Sequence, residues 1–286
     1  MAITTMSSVL YSCPNSSANS FPRPKFKQND WQLDRVLPLN HQVDPQFFID
    51  APLGVVQNFR ILLSRDVFSE GDSQFLYDYL MSRSPEMSPN FLAMLELWLE
   101  DELKHYEALR RTYHCLAGVG FADMDSVFAQ RSPNLEPIQV LLQDEFTILV
   151  TLMFDEIGSV YSYRRDLAEC YRYFGKNIRQ IGHHLVKDEG SHFSNAAELI
   201  LTNHVHRLPE VSELLKEMVI LEKTLDTYHQ SFFLDHAQEQ HRFPSNFNQL
   251  ITQVVLARLG LDSFPLQKEL KQLWQWTPEG RDFTPI

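Results

Sequence analysis

The stretch Asp188-Glu189-Gly190-Ser191-His192 places a Glu-x-x-His pair inside a segment whose apolar residues recur at helical spacing. Residues three apart lie on the same face of a helix, so Glu189 and His192 are predicted to point the same way. The apolar residues predicted on that face are Ile178, Ile181, Leu185, Ala196 and Leu199. The pair is therefore predicted to lie on the buried stripe of its helix.

A second Glu-x-x-His pair, Glu102 and His105, occurs in the helical segment LEDELKHYEAL. Each pair has one candidate Glu upstream at nearly the same distance: Glu70 precedes Glu102 by 32 residues, and Glu156 precedes Glu189 by 33. A single Glu-x-x-His is weak evidence, because a chain with 11 His is expected to contain chance matches. Two pairs in two matching halves are much more specific.

This set of four Glu and two His is typical of a carboxylate-bridged dinuclear metal site in a four-helix bundle. A carboxylate in a core is strongly unfavourable unless it is paired or bound to a metal, and no Lys or Arg shares the predicted stripes. Oxygen-rich coordination with one imidazole per metal suits iron or manganese better than structural zinc. We therefore predict two Fe ions, with Mn as the alternative. The predicted ligands are Glu70, Glu102, His105, Glu156, Glu189 and His192.

Two of these assignments have specific alternatives. Glu145 lies 11 residues before Glu156, three helical turns away, and competes with it as a ligand. The matched spacing of the two halves favours Glu156. Among the predicted ligands, Glu70 has the most polar flanking residues. A buried Glu or His can also be a hydrogen-bonded structural residue that binds no metal.

The composition limits the classes of function. A net charge of −12 argues against nucleic acid or an anionic membrane as the main partner. Three widely spaced Cys, without a CxxC, predict neither a disulfide framework nor a zinc knuckle. No apolar run approaches the ~20 residues that span a bilayer. We therefore expect a soluble protein in a reducing, cytoplasmic compartment.

The chain divides into an arm and one helical domain. Residues 1–30 are rich in Ser, Asn and Pro and predict a flexible arm. A transit peptide would look similar and would place the protein in a plastid. Residues 31–286 predict a single all-α domain, with a bundle core at about 54–203 and accessory helices at about 209–275. Helices are predicted at about 54–82, 90–116, 136–173, 176–203, 209–238 and 246–259, with a loop at 117–134 and a weak point at Gly71.

At these residues the chain resembles the soluble acyl-ACP (acyl carrier protein) desaturases, a ferritin-like di-iron family. The resemblance covers about residues 31–203 and fades after about 205. Its most specific part is an acidic residue followed by Glu-x-x-His in the second and fourth bundle helices. The matching residues are Asp188, Glu189 and His192; Asp101, Glu102 and His105; Asp66, Ser69 and Glu70; Trp31, Gln32, Leu37 and Pro38; and Glu156 with Ser159, where the family has Glu-x-x-Thr.

The resemblance implies a ferritin-like four-helix di-iron bundle with additional C-terminal helices. It implies that Trp31 and Asp188 relay electrons from a ferredoxin-type donor to a ligand His, although Trp31 can also be an ordinary packing aromatic. Ser159 would replace the family's Thr, whose hydroxyl hydrogen-bonds bound oxygen and helps deliver protons. The implied substrate is an acyl chain on acyl carrier protein, and a homodimer is expected.

Some features depart from the family. The connection between Glu70 and Glu102 is short, and the C-terminal part diverges. The net charge of −12 is unfavourable for docking an acidic carrier protein. A basic cluster at the turn between the third and fourth helices is either a docking patch or a solvated helix end. The cluster consists of Arg164, Arg165, Arg172, Lys176 and Arg179.

The predicted function is thus an O2-dependent non-haem di-iron oxidase that desaturates a carrier-bound acyl chain. One alternative is the same centre acting on another substrate, as a hydroxylase, an N-oxygenase or a carbon–carbon cleaving oxidase. A second is a ferritin-like protein for iron storage or peroxide scavenging. A third is a non-catalytic bundle that keeps these residues for structural reasons.

Overall fold

A computed structural model of the chain describes residues 25–225, 227–235 and 247–262. Within them the chain forms nine α-helices, four short 3-10 turns and no strand. The predicted all-α class is therefore confirmed. The α-helices are α1 (Leu33–Val36), α2 (Pro45–Asp50), α3 (Val55–Ser82), α4 (Pro89–Ala117), α5 (Phe121–Phe128), α6 (Glu145–Glu169), α7 (Gly175–Asn203), α8 (Val211–Thr224) and α9 (Phe247–Arg258).

The four long helices α3, α4, α6 and α7 form a helical bundle. Helix α3 packs along α4, α6 packs along α7, and α4 contacts α7. Local signals define the helix ends. For example, α4 has Pro89 in its first turn, its N-cap Ser88 accepts a hydrogen bond from Phe91 N, and Gly118 ends it at φ +70°. These four helices are the ones that carry the predicted ligands.

The segment predicted as one helix at 136–173 is divided. Residues Glu136–Leu142 form a 3-10 turn at 110° to the helix that follows. Asp144 then caps α6, because its Oδ1 accepts from Thr147 N at 2.9 Å. A second 3-10 turn, Tyr171–Tyr173, lies between α6 and α7.

The segment predicted as a loop at 117–134 contains helix α5. Its Phe128 packs against Gly71 in the middle of α3, where an added Cβ would lie 2.6 Å from Phe128 Cε2 and 3.1 Å from Tyr106 Cδ2. Gly71, predicted as a weak point, is therefore a close-approach position that lets α5 dock on α3.

Two apolar clusters divide the bundle along its length. One contains Leu76, Trp98 and Phe193, and the other contains Phe68 and Leu185. On α3, α4 and α7 the predicted ligands lie between residues of the first cluster and residues of the second. The polar centre is therefore enclosed at both ends by packed apolar side chains.

The C-terminal part is shorter in helix than predicted. In place of a helix at 209–238, α8 ends at Thr224, and the described residues 227–235 are irregular. Helices α8 and α9 both pack on α6. The part of the accessory region from 263 to 275 lies outside the described residues.

Residues 1–24 of the predicted N-terminal arm also lie outside the described residues. The last residues of that arm are held against the bundle, because Lys27 N and O both pair with the Asn195 side-chain amide at 2.8 Å. Among the described residues, no single helix has the length and apolarity to cross a membrane. Among the same residues, one pair of helical segments has the required length and composition when the two are taken together. It consists of Glu136–Leu142 and residues 145–173, which are bent by 110° relative to each other.

Candidate metal centre

All six predicted ligands are buried and converge at the middle of the bundle. Their side-chain atoms form two groups of four, each with all ligand atoms within 4.8 Å of one another. Glu102 of α4 and Glu189 of α7 belong to both groups. The first group adds Glu70 and His105, and the second adds Glu156 and His192. Two overlapping groups of this kind could hold two metal ions that share two carboxylates.

Each imidazole presents its Nδ1 to three carboxylates. His105 Nδ1 lies 3.3 Å from Glu189 Oε1, 3.6 Å from Glu70 Oε2 and 3.7 Å from Glu102 Oε2. His192 Nδ1 lies 3.1 Å from Glu102 Oε1. It lies 3.2 Å from an oxygen of each of the other two carboxylates in its group, those of Glu156 and Glu189.

The outer nitrogen of each imidazole contacts an aspartate from the opposite helix. Asp188, on α7, lies 3.1 Å from Nε2 of His105 on α4. Asp101, on α4, lies 3.4 Å from Nε2 of His192 on α7. Such carboxylates fix the ring so that the other nitrogen faces the metal. The orienting role of Asp101 was missed, although the acidic residue before each Glu-x-x-His signals it.

An aromatic donor holds each Glu that belongs to only one group. Tyr163 OH donates to Glu70 Oε1. Trp98 Nε1 donates to Glu156 Oε1 at 2.8 Å. Neither of these two hydrogen bonds was identified from the sequence. In each half of the centre, the Glu that is not shared thus accepts a hydrogen bond from an aromatic side chain.

Several buried ligand atoms have no hydrogen-bond partner. They are Glu70 Oε2, both oxygens of Glu102, and His105 Nδ1. Buried polar atoms without partners are strongly disfavoured, and the described ion pairs of these carboxylates involve only His, with no Lys or Arg. The donor set therefore fits two divalent cations of the iron or manganese kind, which would satisfy these atoms.

The metal-free carboxylates divide into charged and protonated forms. Burial and the nearby Glu70 carboxylate raise the pKa of Glu102 to about 8. Burial also raises the pKa of Glu156 to about 8, despite the opposing effect of His192. For Glu70, burial is outweighed by its contacts with His105 and Glu102, and the pKa falls to about 2. Close carboxylates cannot all ionise together, so the cluster retains protons.

The imidazoles are the positive counterpart of this cluster. Burial would lower the pKa of His105, but the Glu189 carboxylate and the Asp188 hydrogen bond hold it well above its usual value. Burial is likewise outweighed at His192 by Glu156 and Asp101, and its pKa is raised well above the usual value. Without a metal, two imidazolium groups therefore balance part of the carboxylate charge.

Trp31 joins the centre through Asp188. Its Nε1 donates to Asp188 Oδ2 at 2.7 Å, the same oxygen that contacts His105. The indole stacks on His184 with ring centroids 4.5 Å apart, and Lys104 Nζ lies 5.5 Å from the ring centroid. The structure thus places both predicted relay residues in one hydrogen-bonded chain that leads to a candidate ligand.

Ser159 lies one helical turn after Glu156 and is half-buried. It lines a cavity of about 240 Å³ that also reaches Glu70. Glu145, the alternative ligand, is in neither group. It accepts from Ser88 N at 2.7 Å and lies 2.9 Å from His204 Nε2.

The predicted basic cluster is not one exposed patch. Arg165 is buried and pairs with Asp166 at 2.8 Å, whereas Lys176 and Arg179 are exposed on α7.

Comparison of the chain with protein-family profiles, with curated proteins and with solved structures finds no match.

Proposed function

We propose that this protein is an O2-dependent oxidase that uses a dinuclear iron or manganese centre in a ferritin-like bundle. The observation that supports the proposal is the pair of overlapping four-ligand groups that share Glu102 and Glu189. Glu70 and Glu102 have buried oxygens without a hydrogen-bond partner, and their described ion pairs are with His alone, which provides the second argument for cations at this place. When bound, two such ions supply electrons to O2 and coordination positions for it.

The side chains of the chain have separate tasks in this proposal. Glu102 and Glu189 would bind both ions, because each belongs to both groups. Asp101 and Asp188 keep the imidazoles in the orientation that aims Nδ1 inward. The apolar clusters at both ends of the centre limit the access of water along the bundle.

The substrate that the resemblance implies is an acyl chain on acyl carrier protein, with a ferredoxin-type electron donor. Converting –CH2–CH2– to –CH=CH– releases two electrons and two protons. Two further electrons and two protons from the donor side complete the reduction of O2 to two water molecules. The chain from Trp31 through Asp188 to His105 supports electron entry at this point. On the Glu156 side the space is only about 10 Å³ and is lined by Met94, Trp98 and Leu152. These side chains must move if an acyl chain is to bind there.

The metal content tests the centre. Anaerobic loading with Fe(II) is expected to give about two ions per chain. Glu102→Ala and Glu189→Ala are expected to abolish loading, because each removes a ligand from both groups. Glu96→Ala on α4 and Glu198→Ala on α7, both exposed, are the matched controls and should load normally. Retention of both ions by the Glu102 and Glu189 variants would refute the assignment.

The reaction is tested with acyl carrier protein derivatives, ferredoxin, its reductase and NADPH, followed by fatty-acid analysis. An alkene product that depends on O2 and on loaded metal is expected. Unchanged acyl chains together with rapid NADPH-dependent O2 use would indicate an oxidase acting on another substrate. Rapid deposition of iron as a mineral would instead indicate storage.

A further inference from the structure

The two sides of the centre differ in their access to small molecules. Beside Glu70 the cavity of about 240 Å³ has room for several waters or a small organic molecule. Beside Glu156 and His192 the space is about 10 Å³, roughly the minimum for one water. The ligand set is nearly symmetric, so this asymmetry comes from the surrounding side chains.

The wall of the larger cavity is mainly hydrogen-bonding. Helix α3 contributes Ser64 and Ser69, and α6 contributes Ser159, Ser162 and Tyr163. Ser64 and Ser69 already donate to backbone carbonyls and Tyr163 donates to Glu70, so these three hydroxyl oxygens offer mainly acceptor positions along the cavity. The smaller space is lined instead by Met94, Trp98 and Leu152, with Asn195 as its polar neighbour.

One lining residue of the larger cavity, the partly buried Arg131, forms an ion pair with the buried Asp72. Arg131 binds Asp72 through two nitrogens, and Tyr228 OH donates to Asp72 at 2.7 Å. The Arg131 guanidinium also lies over the Phe68 ring at 5.5 Å. The same cavity is also lined by Arg65, Asp66 and Asp235, so its wall carries charges of both signs as well as hydroxyl groups.

The inner end of the cavity reaches the centre directly. Glu70 is a cavity residue, and its Oε2 is buried without a hydrogen-bond partner while Tyr163 holds its Oε1. A molecule that enters the cavity therefore arrives beside the ion that Glu70 and His105 would hold.

From these observations we propose that small hydrogen-bonding molecules, meaning water and anions of a few atoms, reach the centre from the Glu70 side, through the larger of the two cavities described at the centre. The ion at Glu70 and His105 then has the exchangeable coordination position, and the ion at Glu156 and His192 is enclosed. The proposal rests on the proposed dinuclear centre. It assigns solvent and small anions to the Glu70 side, which is lined mainly by polar residues. The Glu156 side, which is lined mainly by apolar residues, is left to the organic substrate.

The test uses azide as the small anion and Co(II) as the metal. Protein loaded with two Co(II) ions is titrated with azide, and the visible absorption of the cobalt gives the dissociation constant. Ser69→Leu and Ser159→Val each narrow the cavity from a different helix. Each is expected to weaken azide binding by about tenfold or more.

Two control variants distinguish blocked access from a general effect of substitution on azide affinity. Ser82, like Ser69, lies on α3 and donates its hydroxyl to the carbonyl three residues earlier, but Ser82 is exposed. Ser82→Leu should change azide affinity by no more than about twofold. Met94→Leu alters the opposite wall and should have an equally small effect.

Cobalt content is measured first on every variant. Wild-type protein that takes up no cobalt overturns the centre and this proposal together. Normal loading with unchanged azide affinity in both serine variants overturns only the access route. Loss of cobalt from both serine variants also counts against it, because the serines would then serve the fold or the ligands. Weaker azide binding in Met94→Leu than in Ser69→Leu would place the route on the other side.

Discussion

Asp101 and Asp188 link the two halves of the centre crosswise. Each precedes a Glu-x-x-His on its own helix and contacts the imidazole of the opposite helix. The other oxygen of each is also bound, with Lys104 Nζ 2.9 Å from Asp101 and Asn29 Nδ2 2.8 Å from Asp188. A fully bonded carboxylate holds the ring in one orientation, so these residues should control metal affinity without touching the metal.

We therefore predict that Asp101→Asn and Asp188→Asn each weaken metal binding by about 10- to 100-fold. The amide keeps the size of the side chain but removes the charge that holds the imidazole. Co(II) titration against a competing chelator, followed by the cobalt absorption spectrum, measures the effect. Asp34→Asn is the control, because Asp34 is exposed and pairs with Arg111 away from the centre. Unchanged affinity in both variants would show that the aspartates do not orient the ligands.

At the scale of helices, apolar periodicity was sufficient to predict the bounds of a helix that has a buried stripe and clear end signals. The segments predicted at 54–82, 90–116 and 176–203 correspond to α3, α4 and α7 within one residue at each end. The segment at 136–173 was predicted as one helix because its apolar residues continue through Asp144. The Asp144-x-x-Thr147 cap, which starts α6, was a local signal in the sequence that the periodicity concealed.

Other features depend on tertiary contacts that a sequence pattern does not contain. Helix α5 lies in a stretch with two glycines, and its Phe128 packs against Gly71 of another helix. Similarly, helical spacing places Trp98 and Tyr163 on inward faces, but it does not show which neighbouring carboxylate each donor meets. The spacing within the helices was enough to select the six converging residues. Residues three apart share one face of a helix, so each Glu-x-x-His pair faces the centre together.

For the whole molecule, the centre brings together buried carboxylates from four helices, and without a metal they repel one another once they lose their retained protons. Glu70, Glu102, Glu156 and Glu189 come from α3, α4, α6 and α7, and all are buried. Metal ions would replace this repulsion with bonds that connect the four helices. Ions that bind the folded state alone add stability, about 2.7 kcal/mol per site at a hundredfold excess over the dissociation constant.

The stability of the metal-free protein should therefore depend on pH. The pKa values of Glu102 and Glu156 are raised from 4.5 to about 8 on folding, and that of His105 is also raised. A group with a raised folded pKa stabilises the fold below its unfolded pKa and loses that contribution as the pH rises through the folded value. The metal-free protein should thus lose stability from about pH 5 to about pH 8, whereas bound metal takes the place of the protons.

We predict that Mn(II) raises the melting temperature, and raises it more at about pH 8.5 than at about pH 6, because the metal-free protein is weaker at the higher pH and protons compete less for the ligands. Calorimetry with and without Mn(II) at each pH measures the difference. Glu189→Ala, which lacks a shared ligand, should show no increase at either pH. An increase that becomes smaller as the pH rises would contradict both the buried protonated cluster and its replacement by metal.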